Sequence, residues 1–416
     1  MTQLPRLAVF DAELPPSIAF ARSLGRHGVP VVAYSPRRFA TTKLSRHVSA
    51  RRSCPPVYET DEFVGWLIDE IAADRFDLIA MTSDFAAFNV MEAFERSGTL
   101  PHGYPSPAAV RTCLFKDAFQ KEMTSIGFPV PPAFDTTEVD EAIGFARSVG
   151  YPVVLKPRSH AGVGIERGTI AHDDDELREF FVPYELDEGQ GAVLRHNPQL
   201  AYPLVQKLLD SDEHEVVSVT GVLGIDGEVL AVGHSRKLGR WPGRLGVGTI
   251  FEPTDPEPFT DHALDAVRSL LGRGIFELEV VVHRPTGEYW GIDLNPRAYG
   301  QIALDIGLGN DLPALWYESV TGVELPPVRP SRVQPTYWHQ GVPVWVGAAV
   351  EVASGSGRAD MVRQLYTHQR APHVGSVSDL SDPLPGLAMG WSLLRHPRSL
   401  VRSVSSDGLT GGPDDS

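Results

Sequence analysis

The residues best equipped for chemistry lie between Gly274 and Arg297, in GIFELEVVVHRPTGEYWGIDLNPR. Glu277 to Val282 is short, apolar and β-branched, Glu288 to Leu294 likewise carries a Tyr-Trp pair, and Pro285-Thr286-Gly287 supplies a turn, so a β-hairpin is predicted. Side chains alternate across a strand, which puts Glu277 and Glu279 on one face of the first strand and Asp293 and Asn295 on one face of the second. Pairing can therefore gather two carboxylates and an amide oxygen. Such hard ligands suit Mg²⁺, which keeps several waters and bridges a few protein oxygens to substrate phosphates. Arg297 follows at once, a fixed fork of donors matched to carboxylate or phosphate. Carboxylates on a hairpin face are as often plain solvated surface. The run Asp293-Leu294-Asn295-Pro296-Arg297 is harder to dismiss, because it sets three polar groups and a proline directly behind an apolar strand.

Other cations stand upstream. Tyr151 to Lys156 reads as an apolar strand ending in Lys156-Pro157, and Ser159 to Gly164 follows as a small-residue loop in which Gly162 and Gly164 would let backbone N–H groups approach phosphate oxygens. Turn-making is the ordinary role of such glycines, and the phosphate-loop pattern of Gly, four residues and Gly-Lys-Ser/Thr is absent. The segment GHSRKLGRWPGRLGVGT, residues 233 to 249, concentrates Arg236, Lys237, Arg240 and Arg244 in an otherwise acidic chain. A small anionic substrate or a terminal phosphate would need such a cluster, the alternative being a solvated basic loop.

The elements needed to position these groups are legible as patterns. Arg6 to Asp11, Pro16 to His27 and Val29 to Tyr34 form a strand-helix-strand unit; a helix near Asp61 to Ala72 and a strand at Leu78 to Met81 extend it into a doubly wound parallel opening. Thr82-Ser83-Asp84 falls at the carboxyl end of that strand, where open α/β sheets bind ligands, although a helix N-cap is the commoner duty of an Asp. No glycine fingerprint follows the first strand, so a dinucleotide is not implied. Thr112 to Gly127 reads as one helix containing Lys116, and Thr137 to Val149 as another, with Thr137 and Asp140 placed for a capping box. Asp173-Asp174-Asp175 reads as a helix start. Leu312 to Gly322 is an amphipathic helix, Pro326 to Pro335 a linker, and the remainder holds strands near 334 to 352, a short helix near 360 to 368, an apolar stretch from Leu384 to Leu394 docked on the body, and a disordered tail from Ser403.

In its ordered set of motifs the chain resembles the ATP-grasp superfamily, carboxylate-amine ligase type, similar to D-aspartate ligase, carnosine-synthase-like and biotin-carboxylase-like enzymes. The resemblance covers roughly residues 6 to 325 and rests on Lys116 ahead of a helix, a Gly and a Pro-marked strand; on VVLKP with its small-residue loop; on the hinge-like LVQKLL; and on the Gly274-to-Glu279 spacing with DLNPR. It implies an ATP-grasp fold, α/β with an α+β lid and an N-terminal Rossmann-like pre-ATP-grasp domain. The expected boundaries are 1–111 for that domain, 112–205 for the small lid subdomain, 206–328 for the large subdomain with the metal site, and 329–416 for a C-terminal extension. By the same resemblance Glu279, Asp293 and Asn295 would hold Mg²⁺ or, in its place, Mn²⁺, Asp293 standing where the family more often has Glu. Lys116, Lys156, Gly162 and Gly164 would contact the ATP phosphates. Gln206, in a position the family commonly gives to Glu, would with Lys207 and Leu209 face adenine, and Glu215 (or Glu213) would meet the ribose. Arg297, Lys237 and Arg236 would serve the transferred phosphoryl group and the acyl phosphate.

The reaction implied is ATP-dependent amide or peptide bond formation through an acyl phosphate, with ADP and phosphate released, on an amino acid or small carboxylate and an amine. A biotin-type carboxylase and a non-catalytic ATP-binding regulator are the alternatives. Composition agrees with a small-molecule enzyme. The formal charge of −16 disfavours a general nucleic-acid or anionic-membrane binder, whose affinity comes from Lys and Arg on phosphates. Two cysteines, Cys54 and Cys113, support neither a disulfide framework nor a thiolate metal site and point to a reducing compartment. No leader pattern or membrane-length apolar run is evident, so a cytoplasmic protein is expected, with homodimers carried over from the family.

Overall fold

Short apolar runs separated by amphipathic helices build the first sheet. In the computed structural model, which describes residues 4–163, 168–184, 191–209, 213–241, 245–328, 335–341 and 371–395, these elements are β1 (Leu7–Val9), α1 (Pro15–Arg26), β2 (Val31–Tyr34), β3 (Ala50–Arg52), α2 (Thr60–Ala72), β4 (Leu78–Ala80) and α3 (Asp84–Ser97). The strands are all parallel in the order β3-β2-β1-β4. The order reverses between β1 and β4, which opens a crevice at their carboxyl ends. β3 was not evident in the sequence. Its Ala-Arg-Arg carries no apolar pattern, and it joins the sheet edge through backbone pairing to β2 alone.

The helix expected over Thr112 to Gly127 is two helices, α4 (Pro107–Leu114) and α5 (Lys116–Ser125). Phe115 breaks them with extended backbone and buries its ring near Phe88. Lys116 consequently opens a new helix instead of sitting inside one.

A second sheet follows from β5 (Ala133–Phe134), α6 (Val139–Val149), β6 (Val153–Lys156), α7 (His160–Val163), β7 (Thr169–Ala171), α8 (Asp174–Phe180), α9 (Gly191–His196) and β8 (Leu204–Lys207), its strands antiparallel in the order β5-β8-β6-β7. It has a core of its own, with Ile143, Val153, Leu155, Leu177 and Val205 at the centre. β8 runs across the expected 205/206 boundary and belongs wholly to this sheet. The predicted capping box at Thr137 and Asp140 is displaced: the backbone N–H of Glu138 donates to Thr136 Oγ1 at 3.0 Å, and Thr136 Oγ1 donates to Glu141 at 2.6 Å. Asp173 does cap α8, accepting from Glu176 N at 2.9 Å.

The largest sheet has the order β13-β12-β9-β10-β11-β14-β15, formed by β9 (His214–Leu223), β10 (Val229–Trp241), β11 (Val247–Pro253), α10 (Thr260–Leu270) packed beneath, β12 (Gly274–His283), β13 (Glu288–Asn295), α11 (Ile302–Leu308), α12 (Leu312–Thr321), β14 (Tyr337–His339) and β15 (His373–Gly375). One face of β9 and β12, with Val217, Val219, Leu278 and Val280, joins the core of the first sheet into a single apolar body. The other face is polar. There Gly233 is required by close approach, since a Cβ would come within 1.8 Å of Asp305 Oδ1 and 2.6 Å of Thr220 Oγ1. Gly233→Ala is therefore expected to cost about 1–3 kcal/mol of stability, readable as a lowered denaturation midpoint. Wild-type stability would show that Asp305 can yield.

The apolar stretch near the C-terminus forms α13 (Pro383–Arg395), preceded by a buried anchor: Asp382 accepts from Arg22 Nε at 3.0 Å, Ser45 Oγ at 2.6 Å and Arg46 N at 3.0 Å. Docking is thus achieved mainly by polar contacts ahead of the helix, while Leu384, Leu387 and Trp391 stay exposed. No helix among the described residues is long and apolar enough to cross a membrane. Of the strands expected near 334 to 352, β14 is described, while residues 342 to 352, the helix near 360 to 368 and the tail from Ser403 lie outside the described residues.

Candidate active site

The hairpin of β12 and β13 forms as its alternation requires, with Glu277 opposite Asn295 and Glu279 opposite Asp293, and a bulge just beyond Glu279. All four side chains share the polar face of the large sheet with Ser218 and Thr220 of β9, which stand opposite Glu279 and Glu277. The four groups differ in what holds them. Glu277 is buried, and both its oxygens are taken: Oε1 accepts from Ser218 Oγ at 2.8 Å and from Gln301 Nε2, and Oε2 accepts from Asn295 Nδ2 at 3.1 Å. Burial, reinforced by the charge of Glu279, pushes its carboxyl up to about 7. Glu279 and Asp293 each face an ammonium instead, Lys237 Nζ at 2.5 Å and Lys116 Nζ at 2.9 Å. Glu279 is thereby the more available of the two glutamates, and Glu277 acts by fixing Asn295.

Lys116 arrives in the first turn of α5, and its backbone N–H is held by Arg158 O at 2.7 Å. Burial alone would raise the Asp293 carboxyl, but the charges of Lys116 and His160 outweigh it and hold it below the usual range. Lys156 comes from the end of β6. Its ammonium donates to Gln206 Oε1 at 2.8 Å, and burial together with the neighbouring Lys116 charge brings it down to about 8. Asp293, Glu279 and Lys237 also act on it electrostatically, so the three lysines and the two carboxylates form one charged cluster.

Arg297 closes the other side. Its Nε donates to Asp84 Oδ1 at 2.5 Å, its NH1 to Ala298 O at 2.9 Å and its NH2 to Asn295 Oδ1 at 2.9 Å. Asp84 is not the cap of α3; Ser83 is, accepting from Ala86 N at 2.9 Å. Freed from capping, Asp84 ties the carboxyl end of β4 to DLNPR, and Ala298 N adds a backbone bond to Met81 O at 3.0 Å. Burial favours the neutral form of Asp84, yet the charge of Arg297 keeps its carboxyl low. Asp11, at the carboxyl end of β1, accepts from Ser83 Oγ beside it, and burial lifts its carboxyl to about 7. The crevice of the first sheet thus opens onto the charged cluster.

Several expectations are relocated. Residues 233 to 241 are the far half of a long strand, β10, rather than a loop, because their backbone pairs with both β9 and β11. Alternation then separates Arg236 from Lys237. Arg236 lies on the opposite face, bonded to Glu215 Oε1 at 2.8 Å and to Glu252 Oε1 at 2.8 Å, and lines an open cleft with Glu257 and Arg284. Glu215 goes with it, also accepting from Arg284 Nε at 2.6 Å, so neither residue is brought to the cluster. Glu213 meets His283 at 3.2 Å. Lys237→Met is accordingly expected to lose far more turnover than Arg236→Gln, and the reverse order would move the chemistry to the other face. Gly162 lies in the helical turn α7, not in an open loop, and Gly164 and Arg244 fall outside the described residues. Gln206 is buried with its oxygen occupied by Lys156, while Lys207 Nζ donates to Gly150 O at 2.6 Å and Lys207 N to Pro132 O at 2.8 Å, so the expected adenine contact through the Lys207 backbone N–H is already engaged within the fold. Ser218 and Gln301 were missed. Ser218 and Thr220 interrupt one face of an otherwise valine-rich strand, a signal that could have been read; Gln301 offers none.

Glu279, Asp293 and Asn295 fit Mg²⁺ as a donor set: two carboxylates face each other across a hairpin beside an amide oxygen, with lysines balancing the charge. Among the described residues no three His, Cys, Asp or Glu side chains make a ready cage.

The family model described as "Carbamoyl-phosphate synthase L chain, ATP binding domain" matches residues 116–192. The carbamoyl phosphate synthase large chain of Pyrobaculum aerophilum is 25% identical over 299 residues, covering 68% of this chain and 27% of that protein. That of Methanothermobacter thermautotrophicus is 26% identical over 198 residues, covering 47% and 18%. The chain thus spans about a quarter or less of the curated relatives it matches. In fold, it resembles the biotin carboxylase domain of 2-oxoglutarate carboxylase from Hydrogenobacter thermophilus, solved with MgADP, ADP and bicarbonate, at a TM-score of 0.60 and 18% identity over 79% of this chain and 72% of that one. N5-carboxyaminoimidazole synthetase from Staphylococcus aureus gives 0.56 and 15%, covering 77% and 78%.

Proposed function

Because this chain belongs to the ATP-grasp superfamily, we propose that it is an ATP-dependent, ADP-forming carboxylate-amine ligase that joins a small carboxylate, such as an amino acid, to an amine. The observation that carries the reading is the convergence, from a helix and two separate sheets, of Lys116, Lys156 and Lys237 on Glu279 and Asp293, with Arg297 adjoining. Phosphoryl transfer needs positioning and neutralisation more than a covalent nucleophile, and this set supplies both. A substrate carboxylate oxygen attacks the γ-phosphorus of ATP, ADP departs, and the amine then displaces phosphate from the acyl phosphate to leave an amide.

The roles follow from placement. Lys116 and Lys156 bear on the phosphates, Lys156 from the end of β6 in the lid sheet. Glu279, Asp293 and Asn295 would hold Mg²⁺, which when bound shields and aligns the phosphate oxygens. Lys237 reaches the centre from β10, and Arg297, braced by Asp84 and Asn295, offers its remaining donors to the transferred group or the acyl oxygen. With the Lys207 N–H taken by Pro132 O, backbone groups of residues 208 and 209 would read adenine. The domain limits 1–111, 112–205, 206–328 and 329–416 are proposed with the one change that β8 stays with the lid.

The test is ADP and phosphate release from Mg-ATP with pools of amino acids and small carboxylates, hydroxylamine serving as the trap. ADP formation with a hydroxamate dependent on one pool supports the ligase and identifies the acid. AMP and pyrophosphate would overturn the mechanism. A bicarbonate-only response would favour carboxylation, the chemistry suggested by the bicarbonate-bound neighbour. Nucleotide binding without turnover under any pool would favour a regulator.

A further inference from the structure

Arg158 is the largest fully buried side chain among the described residues, with no exposed surface, and the ligase reading leaves it without a task. A guanidinium out of water is tolerated only when its donors are met and its charge is balanced. Here every nitrogen is used. Nε donates to Tyr202 O at 2.8 Å, NH2 to Thr136 O at 2.8 Å, and NH1 to Asp135, with Asp117 Oδ2 3.7 Å away. Asp117 is itself held by Asn197 Nδ2 at 2.7 Å.

These partners fall on two bodies. Asp135, Thr136 and Tyr202 belong with the small sheet and its separate core, against which Tyr202 packs. Asp117 lies on α5, whose Phe119 and Met123 are part of the main core. Arg158 also sits two residues beyond Lys156, and its own carbonyl oxygen accepts the backbone N–H of Lys116 at 2.7 Å. One residue therefore touches the mountings of both lysines across a joint between two independently packed cores. Such joints move unless something specific fixes them.

We propose that Arg158 is a positioning residue, the pin that locks the small sheet onto the main body in the register that sets Lys116 and Lys156 at their working separation. The proposal rests on the ligase reading for its purpose, while its geometry can be tested without turnover. Lysine cannot replace it, because a single point charge cannot serve three directions at once.

The experiment pairs a distance with a rate. Spin labels at Glu179→Cys on α8 and Glu62→Cys on α2, both exposed, report the separation of the two bodies; the native cysteines are buried. Arg158→Lys is expected to broaden and lengthen the distance distribution of the nucleotide-free protein. It should also raise the KM for ATP about tenfold or more, a misplacement effect, with the unfolding midpoint of the folded fraction measured alongside. Asp117→Asn, which removes the charge across the joint and one acceptor while keeping the side chain's size, should shift both readings in the same direction and covers the case in which an Arg158 variant does not fold. An unchanged distance distribution in both variants, or an unchanged KM for ATP, would overturn the proposal. Absence of turnover in the parent protein would instead fall on the ligase reading, with the distance measurement still deciding the pin.

Discussion

Lys156→Ala is expected to lower turnover on the order of 10²-fold or more, the scale seen when one preorganised charge-stabilising group is removed. The physical reason is burial. The ammonium of Lys156 is anchored by Gln206 and held near Lys116, an arrangement unfavourable until an anion arrives to share both charges. Its tendency to ionise is correspondingly weakened, to about 8. A lysine binds phosphate only while protonated, so the free protein should lose ATP affinity as pH rises through about 8 and keep it below, with bound phosphate favouring the charged form. Single-turnover ADP release and nucleotide titration across that range check both statements. Near-normal turnover in the alanine variant, or affinity flat from pH 7 to 9, would remove Lys156 from the phosphate site.

Asn295→Ala should be as severe, for a different reason. The amide is the middle link of a buried chain: its Nδ2 donates to Glu277 Oε2 and its Oδ1 accepts from Arg297 NH2, whose Nε in turn is held by Asp84. Alanine removes one oxygen proposed for Mg²⁺, leaves Glu277 short of a donor and frees Arg297 to swing toward Asp84. A drop of about 10²-fold in turnover is expected with a raised requirement for Mg²⁺, and the buried donor and acceptor left unmet should lower stability by about 1–3 kcal/mol. Magnesium titrations of initial rate, with urea denaturation on the same preparation, separate the two effects. Loss of stability with an unaltered magnesium dependence would leave Asn295 a purely structural residue.

Between sequence and site, the readable part was local. Two-residue alternation in the hairpin was enough to place Glu277 with Glu279 and Asp293 with Asn295, because neighbours within a strand obey backbone geometry alone. The same alternation, applied to the basic segment that opens at Gly233, would have parted Lys237 from Arg236; that this segment is a strand depends on its pairing with β9 and β11, which is settled over a distance in sequence. Phe115 is a similar case. Nothing in its neighbours forbids a helix, and the break arises from its burial by α3 and the bond between Lys116 N and Arg158 O.

By itself the sequence determined the chemical kinds present and their spacing: hard oxygen ligands two residues apart on a strand, a lysine at a strand end and another in a helical stretch, an arginine closing DLNPR, and an α/β opening ahead of them. Only the tertiary structure decided which of these meet. It turned Glu215 and Arg236 to one face and Lys237 to the other, withdrew Glu277 into a net of Ser218, Gln301 and Asn295, gave Arg297 the partner Asp84 from the first sheet, and buried Arg158 at the joint between two cores. Residue spacing carries the short-range part because strand and helix repeats are rigid. Long-range partners depend on register and on which apolar faces close together, and those are settled by packing the whole chain at once.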